Sequence, residues 1–191
     1  TISGVSSLTG SSTFSSWVYR TGDFGSPEAI LAKWDGGDDA GGGREPRLYL
    51  HSSNVPEFGF RESSSTYLAT CSKTVPLNKW TYVVGVRDIE NQKSKIFIDG
   101  EKCGETPINN ALIIGDSLKV SINAMYGVGT IDNQRLIGSI DDSAIWASAL
   151  SDAEVRFIYN RQKQKYAGSY VSPIIDAGNV LSTWTTKSWV T

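Results

Sequence analysis

The chain has one histidine, one methionine and two cysteines among 191 residues, and each scarcity removes a class of chemistry. With His51 as the only histidine, no set of residues can be named for a nucleophile, base and orienting carboxylate. Cys71 and Cys103 are too few for a structural zinc site, and no phosphate-cradling glycine motif occurs. The pair is consistent with a single bridge in an oxidising compartment, and also with an ordinary reduced protein. Basic and acidic residues nearly cancel to a net charge of −2. No broad positive field therefore exists to collect nucleic acid or anionic lipid. No apolar run approaches the ~20 residues that cross a bilayer, so membrane insertion is not expected. The chain opens at Thr1 without a basic-then-apolar leader, and reads as a processed or excised fragment.

What is present is β-forming. Apolar residues make up 39% of the chain and charged residues 20%, enough for a packed core and too little charge for disorder. Short alternating runs bounded by turn residues recur throughout, as expected of a sandwich or barrel. In the clearest, Trp80, Tyr82, Val84 and Val86 alternate with Thr81, Val83 and Gly85, which predicts one core-facing side. The run from Lys95 to Cys103 follows, and its Asp99-Gly100 pair predicts a tight hairpin because that turn needs positive φ at both central residues. Further strands are expected over Phe14 to Arg20, Ala29 to Lys33, Arg47 to His51, Phe58 to Arg61, Leu118 to Asn123 and Leu136 to Trp146. The Gly/Asp-rich stretch 35–43 predicts a long mobile loop.

One helix is signalled. Ser151 and Glu154 form a capping box, and Leu150 with Val155 a hydrophobic staple. Val155, Ile158 and Tyr159 give a short apolar stripe, so about two to three turns are expected. The polar run Arg161 to Lys165 reads as the exit from a domain spanning 1–165. Residues 166–191 have β composition but are too short to hold a core alone. They read as a strand pair docked on the domain, or as a stalk or oligomerisation element, a trimer in the fibre case, driven by Trp184 and Trp189.

The run from Leu136 to Tyr159, with Gly138-Ser-Ile-Asp141, an apolar strand, then Ala149-Leu-Ser-Asp-Ala-Glu154, resembles the closing segment of laminin-G-like, concanavalin-A-like jelly-roll domains. Three stretches agree in order and spacing: Phe14 to Arg20, Ala29 to Trp34, and Trp80 through Gly100. The resemblance covers the chain to about Arg161. It implies an all-β fold, a two-sheet antiparallel jelly-roll sandwich with one short capping helix, to which the β composition of the tail adds a C-terminal β segment. Ligand sites are then expected at the concave sheet or the rim loops. The same fold carries lectins, adhesion modules and some glycoside hydrolases, so it implies no single function. The stretch from Ser172 to Gly178 resembles the junction that follows such domains in bacterial surface proteins and fibres.

Hydrolases of this jelly-roll class place their acid and nucleophile on one strand as Glu-x-Asp-x-x-Glu, and no such run exists here. Asp141 and Asp142 are adjacent and are expected on opposite strand faces, which excludes them as that pair. Calcium stays open: Asp35, Asp38 and Asp39 offer carboxylates amid flexible carbonyls, with Asp141 or Asp142 as a further ligand, while a solvated loop is the plainer reading. No cofactor is otherwise required. For glycans the parts needed are an aromatic platform and forked polar groups. Trp34 beside Asp35, and Tyr126 near Asn123, Asn133 and Arg135, are the candidates, against edge packing as the alternative. His51 would share a solvent or ligand face with Tyr49, or serve as a hydrogen-bonded strand histidine. Trp17, Trp80 and Trp146 fall inside apolar strand patterns and are assigned to the core. The expectation is a non-catalytic module of a secreted or cell-surface protein that binds surface glycans or glycoproteins. The alternative is a structural, oligomerising fibre module.

Overall fold

The structure is a computed structural model that describes residues 8–23, 25, 27–34, 44–62, 65–109, 120–127, 130–132 and 134–166. In chain order the strands are β1 (Ser12–Arg20), β2 (Glu28–Trp34), β3 (Arg44–Leu50), β4 (Pro56–Glu62), β5 (Ser65–Thr70), β6 (Trp80–Asp88), β7 (Lys93–Ile98), β8 (Glu101–Pro107), β9 (Ser121–Ile122), β10 (Met125–Gly127), β11 (Thr130–Asp132) and β12 (Gly138–Trp146). The helix α1 (Asp152–Tyr166) follows. Two antiparallel five-stranded sheets form, ordered β12-β1-β6-β7-β8 and β5-β4-β3-β2-β9, with β10 and β11 as a separate pair. The first and last long strands lie side by side, Phe14 opposite Ile145 and Val18 opposite Ile140, so the sandwich closes only when both ends of this region are in place.

Alternation accounts for the space between the sheets. Phe14 and Val18 of β1, Val83 of β6 and Ile96 of β7 meet Leu48 and Leu50 of β3, Phe58 and Phe60 of β4, and Ala69 of β5. Phe14 and Phe58 pack edge to face, with ring centroids 5.7 Å apart. Gly85 gives Phe58 its room: a Cβ there would lie 2.2 Å from the Phe58 ring.

The single core face expected for β6 is corrected, because the whole strand from Thr81 to Asp88 is buried. Val83 faces the other sheet, while Tyr82, Val84 and Val86 face outward and pack with Trp17, Phe97 and Val155 under α1. The sheet is covered on both sides, one by its partner sheet and the other by the helix. The start of α1 is as its signals require: Ser151 Oγ accepts from Glu154 N at 3.3 Å and Glu154 Oε2 accepts from Ser151 N at 2.7 Å, the reciprocal bonds of a capping box. Its length is a correction. The helix runs 15 residues, about four turns, so Arg161 to Lys165 is helical and not an exit segment. It continues because Tyr166 still finds a partner, stacking on Trp17 with centroids 4.1 Å apart.

The Asp99-Gly100 turn is confirmed, with φ of 50° and 78°. Cys71 and Cys103 are bonded to each other, with Cα atoms 4.8 Å apart. The bridge joins the end of β5 to β8, the edge strands of the two sheets. Buried Arg20 donates to Val75 O and Asn54 Oδ1 and lies 3.8 Å from Glu28, also buried. Among the described residues of the strand expected over Leu118 to Asn123, Ser121–Ile122 is β and Val120 is in a bridge position. Residues 118 and 119, loop 35–43 and residues 167–191 lie outside the described residues. Among the described residues, no helix is long and apolar enough to cross a membrane.

Candidate functional site

Because Leu48, Leu50, Phe58, Phe60 and Ala69 point into the sandwich, alternation turns Arg47 and Tyr49 of β3, Glu57, Gly59 and Arg61 of β4, and Thr66, Leu68 and Thr70 of β5 to the outer face of their sheet. Register sets them in rows: Tyr49, Glu57 and Thr70 in one; Arg47, Gly59 and Leu68 in the next; then Arg61 with Thr66. Tyr49 Oη donates to Glu57 Oε2 and Thr70 Oγ1 donates to Glu57 Oε1 at 2.8 Å, so one carboxylate fixes a phenol and a hydroxyl. The Arg47 guanidinium lies over the Tyr49 ring, 4.1 Å from its centroid. Burial pushes the Tyr49 phenol above its ordinary range, which keeps it a proton donor at any physiological pH. Leu68 leans over Gly59, where a Cβ would lie 2.6 Å from Leu68 Cδ2. Thr66, Leu68 and Thr70 are exposed. The result is an apolar step bordered by hydroxyls and guanidinium groups, on a rigid sheet.

The residues singled out from sequence are not gathered there. Trp34 ends β2, its backbone paired with Arg44, and Tyr126 lies on β10 opposite Ile131; both side chains lie outside the described part of the chain. Asp35, Asp38, Asp39 and Asn133 lie outside the described residues altogether. Asn123 has φ of 55°, and its Oδ1 accepts from Leu136 N at 2.6 Å. Its amide oxygen thus holds a turn together. Arg135 is exposed and pairs through its backbone with Ala29. The face expected to be shared by His51 and Tyr49 is corrected. β3 stops at Leu50, Tyr49 is 3% exposed, and His51 sits in an exposed turn where its Nδ1 meets Ser53 Oγ at 3.0 Å. Trp17 is buried as expected, whereas Trp80 and Trp146 are half-buried.

The expected separation of Asp141 and Asp142 is also overturned. Asp142 has φ of 45° and the register of β1 against β12 shifts between Ser15 and Trp17, so alternation breaks at this point. Both carboxylates reach one cation: Lys165 Nζ lies 3.0 Å from Asp141 Oδ2 and 3.2 Å from Asp142 Oδ2, and Tyr166 Oη donates to Asp142 Oδ2 at 2.8 Å. The Lys165 ammonium holds the Asp141 carboxyl below the ordinary range. These groups pin the end of α1 to β12. Among the described residues no three His, Cys, Asp or Glu side chains are grouped to hold a metal.

Clefts also lie elsewhere among the described residues. One, of about 480 Å³, is bounded by the 88–91 turn, residues 147–151 and the start of α1; there Lys95 Nζ sits 3.6 Å from Asp88 and 3.2 Å from Asp152. Another, of about 230 Å³, opens between the end of α1 and the start of β6.

Residues 1–156 match the family described as the concanavalin A-like lectin/glucanases superfamily. No curated protein matches the chain. Among solved structures, a carbohydrate-binding candidate from Bacteroides ovatus is 15% identical with a TM-score of 0.61, over 78% of this chain and 40% of that one. The present chain thus spans less than half of that protein. The CBM40 domain of Ruminococcus gnavus IT-sialidase, bound to α2,3-sialyllactose, is 20% identical with a TM-score of 0.66, over 79% and 83%. A SAP-like pentraxin from Limulus polyphemus is 17% identical with a TM-score of 0.59, over 78% and 69%. Identities this low carry the fold and leave the function to the site.

Proposed function

This chain belongs to the concanavalin A-like lectin/glucanase superfamily, and from that membership we propose that it is a non-catalytic carbohydrate-recognition module of a secreted or cell-surface protein. The observation that carries the reading is the outer face of β3, β4 and β5. There Glu57 orders Tyr49 and Thr70 by hydrogen bonds, Arg47 and Arg61 stand beside them, and exposed Leu68 offers an apolar step. Tyr49 and Glu57 are themselves buried and brace the exposed Thr66, Leu68 and Thr70; sugar rings present both an apolar face and a fan of hydroxyls, which this preorganised row of hydroxyls around an apolar step matches. Hydrolysis would need two carboxylates across the bond to be cut. Glu57 is the one carboxylate among the residues named on this face, and Asp141 and Asp142 are taken up by Lys165. The bridge between Cys71 and Cys103 supports an oxidising, extracytoplasmic setting.

The proposal extends to the end of β2, which stops at Trp34 and pairs with β9: Trp34, Asp35, Tyr126 and Asn133 are further glycan-contacting residues, and Asp35, Asp38 and Asp39 are calcium ligands. The domain ends with α1, and residues 167–191 are a separate appendage. A glycan array probed with the purified chain, in calcium and in chelator, tests this. Selective, saturable binding is expected, weakened about tenfold in Arg61→Ala and Thr70→Ala with the fold retained, as when one or two hydrogen bonds to a ligand are removed. An empty array, or binding indifferent to those two variants and to Trp34→Ala and Tyr126→Ala, would refute it.

A further inference from the structure

We propose a second, independent sugar-binding slot on the opposite side of the molecule, the 230 Å³ cleft between α1 and β6, taking one neutral pyranose ring. Its floor is half-buried Tyr166, which stacks on buried Trp17 and packs against Trp80, with ring centroids 4.1 and 4.9 Å away. Its sides are Trp80 and Tyr159, both half-buried. Trp80 is braced from behind by Tyr19, 5.4 Å away between centroids, and Tyr159 by Tyr82, 6.3 Å away. Each wall is therefore held in place without a ligand. The volume lies below the ~300–1,000 Å³ of pockets for drug-sized ligands, a size suited to a single ring.

The mouth is polar with both donors and acceptors. Lys79 Nζ stands 3.9 Å from Asp99 Oδ2, beyond hydrogen-bonding distance, while Asp99 Oδ1 accepts from Tyr82 N at 3.0 Å. Asp99 is thereby fixed with one oxygen turned to a gap that a hydroxyl can bridge. The exposed Gln164 amide stands at the same mouth and makes no hydrogen bond among the described residues. Aromatic walls for the C–H face of a sugar and a fork of carboxylate, ammonium and amide for its hydroxyls are the parts that ring recognition needs. An aromatic side chain from a protein would satisfy the walls but leave the fork at the mouth unused. The chain would then grip glycans from two faces, and tethered or clustered sugars would be held by avidity.

The slot is independent of the sheet-face reading, and its test separates the two. The indole N–H resonance of Trp80 is followed by NMR while methyl β-D-glucopyranoside, methyl β-D-galactopyranoside and N-acetylglucosamine are titrated into the millimolar range, with N-acetyltryptophanamide as the aromatic control. The titrations use the full chain and a Trp184→Ala/Trp189→Ala variant, so that self-occupancy by the chain's own tryptophans cannot mask binding. A saturable shift of the Trp80 signal with at least one sugar is expected. It should persist in Arg61→Ala/Thr70→Ala and weaken about tenfold in Lys79→Ala/Gln164→Ala, whose exposed side chains leave the fold unaffected. No shift with any of the three sugars in either background overturns the proposal. So does a shift with the tryptophan amide alone, which would mark a protein-binding slot, or a sugar shift undiminished in Lys79→Ala/Gln164→Ala.

Discussion

Replacing both Cys71 and Cys103 with alanine should lower stability chiefly by freeing the unfolded chain. The bridge closes a loop of 32 residues, and loop-closure entropy for that length corresponds to roughly 3.7 kcal/mol at 25 °C. Alanine is the better replacement at 71, where 3% exposure would leave a serine hydroxyl buried. For a domain of this size each kcal/mol shifts Tm by about 2–4 °C, so a fall of roughly 7–15 °C is expected. Urea unfolding followed by tryptophan fluorescence provides a second reading. Opening the loop expands the unfolded chain and exposes more surface, so the m-value should rise as the stability falls. The unmutated protein in dithiothreitol should reproduce both changes. A loss below about 1 kcal/mol, or an unchanged m-value, would refute an account in which the bridge acts on the unfolded state.

Gly85→Ala places a Cβ 2.2 Å from the Phe58 ring, in a layer with no slack; a loss of about 1–3 kcal/mol or more is expected by urea denaturation, and a neutral result would mean the sheets separate more easily than their packing implies. Lys102 at 2.8 Å and Lys93 at 2.6 Å hold Glu105 down to about 2 against an ordinary 4.5. Because the folded value is the lower one, its contribution is complete above about 4.5 and is lost as pH falls towards 2. Glu105→Gln should therefore flatten the acid limb of stability against pH in that window, as read by thermal unfolding across pH; an identical slope in the variant would remove Glu105 as a contributor.

Local signals proved sufficient where the physics is local. Asp99-Gly100 dictates its own turn through positive φ, and Ser151 with Glu154 dictates the start of α1. Two of the failures involve partners distant in sequence. Alternation in β6 shows that Tyr82 and Val83 face opposite ways, but only a helix some seventy residues later decides that both sides are covered. Arg161 to Lys165 read as polar and exposed, yet the helix persists because Trp17 stacks on Tyr166 and donates its indole N–H to Gln162 Oε1. Asp141 and Asp142 defeat a period-two argument through one positive φ, which nothing in their identity announced. The face bearing Tyr49, Glu57 and Thr70 was legible only as the side of β3 opposite its leucines. Its hydrogen bonds depend on a β3, β4 and β5 register that a single sequence does not print.

The position of α1 gives the module a front and a back. Its last residue, Tyr166, rests on Trp17 and Trp80, across both sheets from Arg47, Glu57 and Thr70. Stacked sheets are about 10 Å apart. The point from which the chain continues past Tyr166 therefore lies on the helix side of the sandwich, opposite the outer face of β3, β4 and β5.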